Sequence, residues 1–285
     1  NPNYAPVSSS YSGQQYYWGG LHSREESGFI NERVNYFHKP QVNLNWYLTV
    51  NDRLSVTSVF YYSGGRGGGS GTLYNTDSVY GFASSSRAFA FISNSDPLYG
   101  SAYDWDKTIA ANAGTTTVRG DQTKPLGQSL GILRNSVNEQ DQFGIVSKVS
   151  YDATEELKFT AGIDWRTADI DHFREIRDLL GGSYYLPTST QASEFWAGGI
   201  NTQLGLGDKV DYDSTNSIDW VGLFAQGQYE KGPITAFGVV GYSSIDFSYT
   251  DHFRKNASGG EYSLEKNGKK GTQIKGGVND AINSN

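Results

Sequence analysis

The chain has 285 residues, of which 36% are hydrophobic and 14% aromatic, with 35 Gly, 20 Tyr, no Cys, no Met and a formal net charge of -7. Without cysteine there can be no disulfide-stapled scaffold and no cysteine-ligated zinc or iron–sulfur centre, and the acidic balance leaves no electrostatic footprint for nucleic acid. A mean hydropathy of -0.54 with no long uncharged apolar run excludes a membrane-spanning helix, while the aromatic content argues against a disordered chain.

The chain opens at Asn1 without an initiating Met or an apolar signal segment, and reads as processed or partial. Period-two alternation is its clearest pattern. Val42, Leu44, Trp46, Leu48 and Val50 share one face of a strand, and Gln41, Asn43, Asn45, Tyr47 and Thr49 the other. After a break at Asn51–Arg53, Leu54, Val56, Phe60 and Tyr62 continue the apolar face, which predicts a hairpin. The glycine run from Gly64 to Gly71 has no phosphate-loop spacing and reads as the start of a flexible loop that lasts to Glu139. Within that loop, Gly127-Gln128-Ser129-Leu130-Gly131 matches the G-x-S-x-G nucleophile pattern. The pattern needs a buried strand feeding a strained turn into a helix, and Pro125 and a polar stretch stand there instead.

A second hairpin follows, with Phe143, Ile145, Val149 and Tyr151 alternating with polar residues, then Leu157, Phe159, Ala161, Ile163 and Trp165. Asp171–Leu180 predicts a short helix: Asp171 can cap it, Phe173, Ile176 and Leu180 share a face, and Gly181-Gly182 can end it. Asp208, Asp211 and Asp213 raise the possibility of calcium, but the EF-hand spacing fails and a solvated acidic loop is the simpler reading. A third hairpin spans Asp219–Tyr229 and Ile234–Tyr249; Val221, Leu223, Ala225 and Tyr229 lie opposite Trp220 and Phe224, and the faces of the Ile234 strand stay unassigned. Thr272–Ile282 begins a last strand.

The connections are unequal. Turns within hairpins are tight, whereas 64–139, 169–217 and 250–271 read as long loops. Short turns at one end and long loops at the other describe an outer-membrane barrel. The fold expected is therefore all-β: part of an antiparallel transmembrane β-barrel of about seven strands, with long extracellular loops and short periplasmic turns. An Arg or Lys on a lipid face costs about 2–4 kcal/mol at the midplane. The face bearing Asn43, Asn45, Lys148, Lys158, Asp164 and Arg166 should thus look into the lumen, and the Leu, Val, Phe and Trp face towards lipid. An open edge cannot sit in lipid with unpaired backbone groups, so further strands are expected outside this chain. The alternative is a soluble β-rich module for glycan binding or adhesion, in which the Val42–Val50 face packs on a second sheet.

No catalytic pair, metal-ligand set or cofactor motif is expected. Rigid aromatics of the long loops are the candidate ligand contacts, chiefly Tyr103, Trp105, Tyr184, Tyr185 and Trp196, with packing among the loops as the competing role.

Several segments resemble one family. Tyr61-Tyr62-Ser63 with the glycine run Gly64–Gly71, Asp104–Asn112, Gly131–Asn138 leading to Phe143-Gly144, Gly162-Ile163-Asp164-Trp165-Arg166, His172-Phe173-Arg174-Glu175 and Asp178–Gly182 are similar, in order, to TonB-dependent outer-membrane transporters of the Bacteroidetes type. The resemblance implies a barrel of about 22 strands around a plug, taking up a scarce nutrient: siderophore, vitamin, glycan or peptide. It implies as partners the lipid bilayer, the TonB complex acting on the plug, and in some members a surface lipoprotein or larger outer-membrane assembly. The resemblance covers the middle of a barrel; plug, TonB-contacting segment and aromatic-ended terminal strand have no counterpart here.

Overall fold

A computed structural model of the chain describes residues 30, 32–74, 88–89, 105–115, 117–119, 122–187 and 202–280. In chain order its elements are β1 (Asn35–His38), β2 (Gln41–Asn51), β3 (Leu54–Tyr74), α1 (Trp105–Ala113), β4 (Thr117–Arg119), β5 (Gln122–Thr123), β6 (Gln128–Ser129), β7 (Gly131–Asp152), β8 (Leu157–Asp178), β9 (Tyr184–Tyr185), β10 (Lys209–Lys231), β11 (Ile234–Lys255) and β12 (Glu261–Asp280). The long strands form one eight-stranded sheet in the order β1-β3-β7-β8-β10-β11-β12, with β2 also on β3. Its pairings are antiparallel. β4 pairs with β5, and β6 with β9, in two small sheets.

β1 and β2 lie end to end on one edge of β3, with His38 opposite Arg66 and Gln41 opposite Ser63. Pro40 interrupts them because it has no N–H to give, yet its carbonyl accepts the Gly64 amide at 3.0 Å. The two act as one span, so the eight strands make seven spans across the sheet. The expected class, an all-β partial barrel with tight turns at one end and long connections at the other, is the one observed. Turns at Asp52-Arg53, 153–156 and Gly232-Pro233 close one end, and Gly232 takes a φ of 59° that suits a two-residue turn. Residues 75–130 and 179–208 connect the other end. Among the described residues, no helix is long and apolar enough to cross a membrane.

Three expectations fail at the long-loop end, for a common reason. Gly64–Gly71 is strand, paired residue by residue with Asp141–Arg134. Asp171–Leu180 is not a helix: β8 continues to Asp178, held between Leu133–Glu139 and the start of β10. Residues 250–271 are not a long loop either, since β11 and β12 run up to a turn at 256–260. Backbone pairing along a neighbouring strand overrides the local capping and helical spacing that a single segment displays.

Register fixes the two faces of the sheet. Leu44, Phe60, Ile145, Trp165 and Val221 occupy one transverse row, and Val59, Val146, Asp164, Gly222 and Ser243 a row of the other. The unassigned β11 resolves as Ala236, Val240 and Tyr242 on the apolar face, with Phe237 and Val239 opposite. That apolar face lies bare. Leu44 is 64% exposed, Phe159 47% and Ile274 77%, and no second sheet packs on them among the described residues. No charged side chain falls on it between Phe143 and Tyr151, Leu157 and Trp165, or Val221 and Tyr229; Asp141, Asp169, Asp219 and Asp246 end the band. The Ser58 and Ser147 hydroxyls, in its middle, bond each other at 2.8 Å, which removes the cost of leaving either unpaired in an apolar medium.

Among the described residues, buried apolar side chains gather only at the long-loop end. Phe89, Trp105, Leu130, Leu133 and Leu180 form one cluster, joined by Tyr74. Ile132, Ile176, Tyr185, Leu204 and Val210 form another, joined by Leu73. Neighbouring residues of β3 and of β7 point to opposite sides, so the two clusters cap the two sides of the strand ends.

Candidate functional site

The polar face brings together all six residues expected on it. Asn43, Tyr61, Gly144, Arg166 and Trp220 form one row and Asn45, Val59, Val146 and Asp164 the next. Lys148 stands opposite Gly162, and Lys158 opposite Gln228. Arg166 donates to Asp164 at 2.6 Å and covers the Trp220 ring at 5.2 Å. Glycine explains the large aromatics here. Tyr61 lies over Gly144, and Phe224 over Gly162, where a Cβ would come 2.5 Å from the ring and 2.6 Å from the Ser147 carbonyl oxygen.

Further along the same face, past the apolar band, is an arginine cluster that alternation alone does not reveal. Arg134 stands opposite Gly71, and Ser136 opposite Arg174. Ser136 Oγ accepts from Arg134 Nη1 at 3.0 Å and from Arg174 Nε at 3.2 Å. Arg134 Nη1 also donates to the Gly69 carbonyl at 3.2 Å. Arg174 is paired with Asp211 and lies 5.0 Å over the Tyr212 ring. Asp211 has a φ of 73°, a strained backbone for a non-glycine residue. Arg33 reaches in from the segment before β1, which is anchored by Ser70: its hydroxyl donates to the Glu32 carbonyl at 2.6 Å and accepts from the Val34 amide at 2.7 Å. Burial, then the charges of Arg174 and Arg33, hold Arg134 below its ordinary pKa. Burial raises the Glu32 carboxyl above its usual range, against the opposing pull of Arg33.

The aromatic candidates fare differently. Trp105, at the start of α1, is 3% exposed and packs edge-on to Phe89. Tyr185 is 0% exposed, in the second cluster. Both rings lie in loop cores, because hydrophobic burial of the strand caps claims them. Tyr184 is partly buried in β9, and Tyr103 and Trp196 lie outside the described residues. Polar groups lock the same cores. Asn112, in α1, donates to the Gly131 and Leu180 carbonyls at 3.0 Å and accepts from the Leu130 amide at 2.9 Å. The Lys124 ammonium, 1% exposed, donates to the carbonyls of Asn112 and Gly114, and burial lowers its pKa.

Ser129 of the G-x-S-x-G segment is buried and donates to the Leu179 carbonyl at 2.5 Å, tying one long connection to the other. The three aspartates do not converge: Asp208 accepts from Gly205 N, Asp211 holds Arg174, and Asp213 holds Lys209. No grouping of three metal-ligating side chains occurs among the described residues.

No family model matches the sequence, and no curated protein matches it. Among solved structures, the chain is similar to the crystal structure of the outer membrane transporter YddB from Escherichia coli. The identity is 14% and the TM-score 0.26, over 84% of this chain and 30% of that one. The chain thus spans less than a third of the length of that transporter. The likeness is too distant to bear on function.

Proposed function

We propose that the chain is part of the wall of a bacterial outer-membrane transport barrel, not an enzyme, that takes up a scarce nutrient under TonB control. The observation that supports this best is the bare apolar face, uncharged through the middle of β7, β8 and β10 and backed by a polar one. From Leu157 to Trp165 a strand rises about 27 Å, which at a tilt of about 40° gives about 21 Å of height, close to the apolar band of outer-membrane barrels. A soluble sheet must cover such a face, because large exposed apolar patches drive association.

β2 and β12 pair on one side only among the described residues. Further strands would complete the wall on both edges, since lipid leaves open edges unsatisfied. The face that carries Asn43, Asn45, Lys148, Lys158, Asp164 and Arg166 then looks into a lumen, where it would hold a plug. The TonB complex, acting on that plug, and an accessory lipoprotein are partners this reading implies.

Cell fractionation tests the location: the protein should pellet with the outer membrane and need detergent for release. Recovery in the soluble fraction would instead favour the glycan-binding or adhesion module. Energy coupling is read separately, as uptake that stops when TonB is deleted.

A further inference from the structure

Three guanidinium groups meet on the polar face with two carboxylates between them, in a chain of net charge -7. Asp211 is engaged with Arg174, and Glu32 with Arg33 at 3.2 Å. Arg134 bonds only a carbonyl and a hydroxyl, and its Nε is buried without a partner. Among the described residues it forms no direct ion pair, and the nearby Asp211 and Glu32 carboxylates act on it only at longer range.

Gly71 lies beneath the group, and two of the guanidiniums pack over it. A Cβ there would lie 3.0 Å from Arg33 Nη1 and 3.2 Å from Arg134 Nη2. Two forked donors thus converge over a residue without a side chain, with Arg174 linked to the same place through Ser136. The second loop core closes over this side of the strand ends through Leu73 and Ile132. The Arg33 side chain remains 63% exposed, so its guanidinium can be reached from water. The site lies on the face opposite the apolar band, where a lipid headgroup cannot come.

We propose that Arg33, Arg134 and Arg174, gathered above Gly71, bind an anionic group of the transported solute: a carboxylate or a phosphate. Guanidinium forks recognise both, through paired charge-assisted hydrogen bonds. The proposal rests on the transport reading for the word "transported" and narrows the nutrient to an anionic one. It does not rest on that reading for the binding itself.

The test is a calorimetric titration of the purified full chain in detergent, with citrate and with inorganic phosphate as separate probes. At least one should bind, with an affinity that falls as salt is raised. Arg134→Gln should weaken binding tenfold or more, and Lys275→Gln, on the same face of β12 opposite Val239, should leave it unchanged. Loss of the Gly69 contact could unfold the Arg134 variant, so Gly71→Val supplies a second route: it keeps every arginine and pushes the Arg33 and Arg134 forks out of place. It too should weaken binding at least tenfold while the protein keeps its far-ultraviolet circular dichroism. Failure of both probes to bind, or binding that Gly71→Val leaves unchanged, overturns the proposal. Either result leaves the fractionation outcome standing, and a soluble protein that still binds citrate would overturn the transport reading alone.

Discussion

Ile163→Arg places a charge near the middle of the apolar face. Ile163 stands between Ser147 on β7 and Leu223 on β10 and is 37% exposed. In an aqueous sheet an exposed substitution of this kind would change stability by about 0.5 kcal/mol or less. On a lipid face the same arginine costs about 2–4 kcal/mol at the midplane, which is about 30- to 900-fold in the folding equilibrium. Thr160→Arg is the matched control, since Thr160 lies on the polar face between Ser150 and Gln226. Folding into phospholipid vesicles across a urea gradient, followed by tryptophan fluorescence, measures both. Ile163→Arg should lose the full amount and Thr160→Arg a few tenths of a kcal/mol. Equal losses for the two variants would refute the assignment of faces.

Gly162→Val should destabilise by about 1–3 kcal/mol, because its Cβ meets the Phe224 ring at 2.5 Å and a backbone oxygen at 2.6 Å; Gly238→Ala, with nothing within 4 Å, should be neutral in the same urea titration. Asn112→Ala strands the Leu130 amide and two buried carbonyls, at about 1–3 kcal/mol for each group left unpaired. It should make the connection between α1 and β7 cleavable by protease, with the strands intact. Ser129→Ala loses the bond to Leu179, about 1 kcal/mol, and should speed proteolysis of residues 179–187 without altering any hydrolytic rate. Burial holds the Glu32 carboxyl above its ordinary value near 4.5, so the folded state binds its proton more tightly than the unfolded state does. Docking of residues 32–34 is therefore firmest below that value and weakens as pH rises through the raised pKa. Hydrogen exchange at the Val34 amide, corrected for its intrinsic pH dependence, should show this loosening, and Glu32→Gln should abolish it.

Alternation was readable wherever one side of a strand is apolar and the other polar. Hence Val42–Leu48, Phe143–Tyr151 and Leu157–Trp165 are plain in the sequence. Beyond Asp141, Asp169, Asp219 and Asp246 both sides carry polar residues, and the period-two signal vanishes although the strands continue. Gly64–Gly71 then looks like a loop and Asp171–Leu180 like a helix. The arginine cluster was hidden for a related reason. Arg134 and Arg174 are 40 positions apart, and only the register that sets Ser136 against Arg174 and Arg134 against Gly71 brings them together. The glycine at 71 was a usable signal, since a strand interior seldom gives up a side chain without a neighbour to fill or use the space. Trp105 and Tyr185 look like ligand contacts in sequence because composition cannot separate an aromatic that caps a strand end from one that faces solvent.

The chain has no cysteine, so single cysteines placed from Leu157 to Trp165 report one position each. Reconstituted in vesicles whose acyl chains carry a quencher, a fluorophore at 157, 159, 161, 163 or 165 should be strongly quenched, deepest near 161. At 158, 160, 162 and 164 it should be spared and open to a water-soluble quencher. Uniform quenching along the strand, or spared labels at both parities, would contradict a membrane-facing sheet.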